Sequence, residues 1–167
     1  MLRASGLHHL LPDRVLARVS PSHWSHDHSR TADWIMGAVL AVRASLFEAV
    51  GGFWPLMYAS EQDLAWKIQE RGLSVRFVRE SEVIHVVNFS NRQRWSEPER
   101  AARIAQGELT FLAEHYRPER AVAIRLVTGF GYASRAVAFR ALGQRARAGV
   151  YAAAAREYAR AARKGPA

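Results

Sequence analysis

The chain changes its hydrophobic period once, near its middle, and that change limits what it can fold into. Up to Ser90 the apolar residues come in short β-branched runs: "SVRFVRE" sets Val75 and Phe77 against Arg76, and "EVIHVVNF" is apolar around His85. From Ser96 onward the spacing is helical. Ala101, Ile104, Ala105, Leu109, Leu112 and Tyr116 fall on one face of a single helix. A chain of 167 residues with 49% hydrophobic content can bury one ordinary core, or a small core with a helical appendage. The expected organisation is therefore an irregular segment over residues 1–33, a mixed α/β core over 34–95 and a basic helical region over 96–167.

Local signals place the elements. Val39 to Val42 reads as a short buried strand, and a helix over Ala44 to Val50 is stopped by Gly51 and Gly52. Ser60 reads as an N-cap, with Asp63 three residues on in the manner of a capping box, for a helix running to about Arg71 and stopped by Gly72. Strands over Val75 to Val78 and Val83 to Val87 follow, joined by a turn near Glu80 and Ser81. "SEPE" at Ser96 offers an N-cap, an early proline and Glu99 at the third position. Pro118 opens a further helix, and "AGVYAAAAREYARAARK" forms the last.

Composition excludes several functional classes. There is no cysteine, so disulfides, thiolate metal sites and thiol nucleophiles are ruled out. The first twenty residues lack the apolar core of a signal peptide, because His8, His9, Pro12 and Asp13 break every run. No apolar stretch approaches the roughly 20 residues of a membrane-spanning helix. The expected location is cytoplasmic, with peripheral attachment to the inner face of the cell membrane as an option the charge supports. From Pro118 to the end, nine arginines and Lys164 face only Glu119 and Glu157, which accounts for +8 of the chain's net +9. Such a region seeks anionic surfaces or an acidic partner. Neither a recognition-helix pattern nor a platform of stacking aromatics is present, so nucleic acid is not an expected partner.

Four short motifs occur in a fixed order. They are W-x-x-G-A leading to an arginine (Trp34, Gly37, Ala38, Arg43), V-G-G-F (Val50 to Phe53), the acidic stretch "SEQDL" at Ser60 to Leu64, and a histidine followed by a serine (His85, Ser90). In this order and spacing the chain resembles the C-terminal, acceptor-side half of family 2 glycosyltransferases of the GT-A fold, especially the bacterial enzymes that add rhamnose and related sugars to cell-envelope polymers. The resemblance covers residues 34 to 95 well and the later helices loosely.

That resemblance implies roles for particular residues. The family's helix start reads [ED]-[DE]-x-D-L, with the second acid as catalytic base; here Ser60 replaces the first acid, Glu61 takes the base position and Asp63 and Leu64 match the D-L. An inverting transfer needs a carboxylate to remove the proton of the acceptor hydroxyl as its oxygen attacks the anomeric carbon. The substrate-facing set is Trp34, Gly37, Ala38 and Asp63, with Asp63 acting mainly as a structural member of the helix start. His85 matches a histidine that lies near the metal and diphosphate, and the complete enzyme would use Mg or Mn. Each residue also has a plainer explanation. Acids at a helix start complement the dipole by about 0.3 to 1 kcal/mol each, Gly37 and Ala38 suit a tight turn into a strand, Trp34 can fill a core, and His85 can be a structural strand residue. "HWSHDH", with His23, His26, Asp27 and His28, matches no standard metal spacing and reads as a polar loop.

A complete enzyme of this family also has a nucleotide-binding half with a D-x-D motif, and this chain contains no D-x-D and no glycine-rich phosphate loop. The expectation is an acceptor-side half, as a truncated gene, a misassigned start or one part of a split protein, with little or no catalysis by itself. Its partners in the complete enzyme would be a nucleotide-sugar donor and a glycan or polyprenyl-linked acceptor. The alternative is a non-catalytic basic helical module that binds an anionic membrane surface or an acidic partner.

Overall fold

The computed structural model describes residues 25–55, 57–84 and 94–163. They belong to two compact units, one holding the described residues up to Ile84 and the other those from Arg94 onward.

The first unit is a small helix-and-sheet assembly. Strand β1 (Arg30–Ala32) pairs antiparallel with β2 (Val75–Phe77), with Arg30 opposite Phe77, Thr31 opposite Arg76 and Ala32 opposite Val75. Past the Arg30 end of the ladder, the Ser29 hydroxyl donates to Glu80 at 2.8 Å and accepts from the Arg79 amide at 3.0 Å. Two helices lie between the strands in sequence: α1 (Ala44–Ala49) and α2 (Ser60–Glu70). Val50, Leu64 and Ile68 form the buried cluster, with Leu46, Phe47 and Val75 packed against it. The α1 stop is a Schellman pair, in which the Gly51 amide donates to the Glu48 carbonyl and the Gly52 amide to the Phe47 carbonyl. Both glycines hold positive φ, 79° and 67°, and a Cβ on Gly52 would press on the Phe47 ring at 3.2 Å.

Three expectations need correction here. Among the described residues the sheet is two-stranded and antiparallel, where a short mixed sheet was expected, and one of its strands, β1, falls in the segment expected to be irregular. Val39 to Val42 forms no strand; Val39 and Val42 are exposed, and the segment runs straight into the N-terminus of α1. Val83 and Ile84 are likewise exposed and outside any strand, and the rest of that expected strand, His85 included, lies outside the described residues, as does Ser90.

The second unit is three helices: α3 (Glu97–His115), α4 (Pro118–Ala141) and α5 (Arg145–Arg163). The start of α3 is the capping box expected from "SEPE": Ser96 Oγ accepts from the Glu99 amide, and the Glu99 carboxylate accepts from the Ser96 amide at 2.9 Å. Helix α5 packs against both others, and in the seam Ala105 and Ala154 are wholly or almost wholly buried beside Tyr158, with Leu109 and Tyr132 packed against them. Gly143, at φ 72°, makes the turn between α4 and α5.

Candidate functional site

The acidic helix start is held by an unusual backbone. Ala59, buried and not a glycine, sits in the left-handed region at φ 70°, and the chain enters α2 directly from it. Ser60 is consequently the first helical residue and not the N-cap. Its hydroxyl points to Glu61, 3.4 Å from Oε2, and caps no backbone amide. The sequence rule that favours serine at the cap yielded to the left-handed turn one residue earlier.

The two carboxylates of the stretch part company. Asp63 is fully buried and ion-paired with Lys67 at 2.7 Å, one helical turn on, and Lys67 in turn lies 5.6 Å from the centre of the Trp54 ring. Asp63 therefore presents no exposed surface and holds an ion pair within its own helix. Its salt-bridge partner is Lys67, and its amide donates to the Ala59 carbonyl at 2.9 Å.

Glu61 is half-buried and lines a cleft of about 630 Å³ lying between α2, β2 and the segment ahead of α1. Its walls are apolar, from Ile35, Leu40, Val42, Leu64, Val75 and Val78. Its charged members are Glu61, Arg43 and Arg76. Gly37 lies beside the carboxylate: a Cβ built on it would stand 3.6 Å from both Cδ and Oε1 of Glu61. Thus Glu61 and Gly37, 24 positions apart in sequence, meet at one place. Of the residues expected at the site, Glu61 alone is among the cleft walls; Gly37 touches its carboxylate without lining the cleft, and Trp34, 42% exposed, and Ala38, also exposed, do not line it either. His85 lies outside the described residues.

Arg43 and Arg76 are the members that sequence reasoning did not place in a site. Arg43 closes the first motif, but as a strand end, and Arg76 alternates with Val75 and Phe77 as a solvent-facing strand residue would. Both guanidinium groups can donate paired hydrogen bonds to an anionic or hydroxyl-rich ligand in the cleft.

Among the described residues no group of three or more histidine, cysteine, aspartate or glutamate side chains is placed to hold a metal ion. In "HWSHDH", His28 Nδ1 lies 2.5 Å from Asp27 Oδ1, and Ser25 and His28 hold the Asp27 carboxyl below its ordinary range. His26 instead turns its ring edge-on to Phe77, 5.5 Å between centroids. No protein-family model, curated protein or solved structure matches the chain.

Proposed function

We propose that the chain is the acceptor-side half of a GT-A type glycosyltransferase acting on a cell-envelope glycan or lipid-linked acceptor. The observation that carries this reading is the contact of Gly37 with Glu61, whose carboxylate lines an open cleft, because it joins two motifs that the resemblance assigns to one site. A carboxylate beside a residue without a side chain leaves room for a hydroxyl-bearing ring to come against the backbone. In the completed enzyme Glu61 takes the proton of the acceptor hydroxyl, that oxygen bonds to the anomeric carbon, and the bond from that carbon to the nucleoside diphosphate breaks. Arg43 and Arg76 orient the acceptor through hydrogen bonds. The left-handed Ala59 fixes the direction in which α2 presents Glu61.

The test is transfer by the chain co-expressed with, or fused to, a donor-binding half. Glu61→Gln should lower the rate by about 10² to 10⁴-fold, the usual worth of a positioned general base. Transfer retained by Glu61→Gln would remove the assignment.

A further inference from the structure

Helix α4 has two apolar faces, and only one of them is packed. Ala121, Thr128 and Gly131 are buried, and the same side carries Tyr132, which lies 5.6 Å ring to ring from Tyr158 of α5. On the opposite side Val122, Leu126, Phe130 and Val137 recur at one-turn and two-turn spacing and are exposed by 37%, 60%, 75% and 69%. Between Ala121 and Phe139 the only polar exposed residue is Ser134. The two arginines within that span are half-buried and held inward: Arg125 donates to the Ala161 carbonyl of α5, and Arg135 lies over the Tyr151 ring. A solvated helix face of this length normally carries charge; this one carries none for roughly 22 Å of rise.

The rest of the unit is strongly basic. Residues 94–163 hold thirteen arginines against six glutamates, and two of those glutamates, Glu97 and Glu157, are already paired with Arg100 and Arg160. Exposed Arg140 stands five helical turns beyond Val122 on the same side of α4, closing the apolar stripe with a positive charge. No helix of the described residues is long and apolar enough to cross a membrane.

We infer that the outer face of α4 is a bilayer-docking surface: Val122, Leu126, Phe130 and Val137 enter the headgroup boundary of an anionic membrane, with the helix lying in the membrane plane. A second copy would also cover the apolar stripe, but it would bring two strongly positive units together, whereas anionic lipid satisfies stripe and charge at once. The inference rests on the exposed face and the charge alone and stands apart from glycosyl transfer.

The experiment is co-sedimentation of the full chain with vesicles of equimolar phosphatidylglycerol and phosphatidylcholine, against phosphatidylcholine alone. Binding to the anionic vesicles is expected, weakened about tenfold or more by Leu126→Glu or Phe130→Glu, both at exposed positions that leave the packed face intact. Because the chain has no cysteine, Phe130→Cys offers a single thiol for an environment-sensitive dye, whose emission should shift to the blue on anionic vesicles. Absence of vesicle binding overturns the inference, as does binding that both glutamate substitutions leave unchanged. Self-association removed by Leu126→Glu, or capture of duplex DNA in preference to vesicles, overturns it in favour of another occupant.

Discussion

Lys67 reaches back one turn along α2 to an aspartate that has no solvent exposure, and the 2.7 Å pair between them divides the acidic stretch into a structural residue and a free-facing one. Removing one partner of a buried pair costs more than the pair itself contributes, because the other charge stays desolvated. Lys67→Gln should therefore destabilise the first unit by about 1 to 3 kcal/mol in urea unfolding. Glu61→Gln, at a half-exposed cleft position, should stay within about 0.5 kcal/mol of the parent. Equal losses for the two variants would deny the division of roles.

Gly37 gives a graded test of the cleft. A methyl group there meets the Glu61 carboxyl at ordinary contact distance, 3.6 Å, so Gly37→Ala should preserve both stability and acceptor binding. Gly37→Leu extends into the space beside the carboxylate. Acceptor-glycan shifts in an NMR titration should disappear for Gly37→Leu while its unfolding free energy changes by less than about 0.5 kcal/mol, since residue 37 is exposed.

Glu108 supplies a pH signature in the helical unit. The Tyr158 hydroxyl donates to its Oε2 at 2.7 Å; burial holds its carboxyl above the ordinary carboxylate range, with that hydrogen bond pulling the other way. Burial and the neighbouring Glu108 push both tyrosines up, Tyr132 to about 12. A raised folded-state carboxyl means that the folded chain binds more protons than the unfolded one between the two values. Stability from this group is thus full at acid pH and declines as pH rises through that window. Glu108→Gln keeps an acceptor for Tyr158 without the charge. It should raise the melting temperature at neutral pH, with the gain vanishing below about pH 4, where the ordinary carboxyl is protonated in both states. A gain that persists into acid would contradict the assignment.

Two glycines in the helical unit should respond oppositely to the same change. Gly149 of α5 has nothing within 4 Å of an added Cβ, so Gly149→Ala should stabilise by about 1 kcal/mol through helix propensity. Gly129 of α4 would place its Cβ 3.0 Å from the Tyr158 Cβ on α5. Overpacking should outweigh propensity there, leaving Gly129→Ala net destabilised by on the order of 1 kcal/mol in thermal or chemical unfolding.

What could be foreseen from the sequence was local. The Ser96 to Glu99 box, the proline opening α4 and the glycine stops after α1 and α2 each depend on residues within one turn of one another, and all are found where the spacing puts them. Pairing across the chain was not foreseeable. Arg30–Ala32 is a strand only because β2 lies alongside it, and three residues with one hydrophobic member carry no alternation to detect. Val39 to Val42 has strand-like composition, yet an apolar run cannot reveal whether a partner edge is available. The site divides in the same way: the motif order pointed to Glu61 and Gly37, while Arg76 entered the cleft through packing that its alternating pattern disguised.

The small-residue seam between α3, α4 and α5 sets an asymmetry in how this unit can vary. At Ala105, Ala154 and Gly129 the helices gain from backbone closeness and have few methylene groups to lose, so truncation at these positions, unlike at Tyr158 beside them, removes little. Enlargement, in contrast, levers whole helices apart. A saturation-mutagenesis profile at these three positions would be governed by the volume each replacement adds, the reverse of a leucine-filled core, where the damaging replacements are the ones that take volume away.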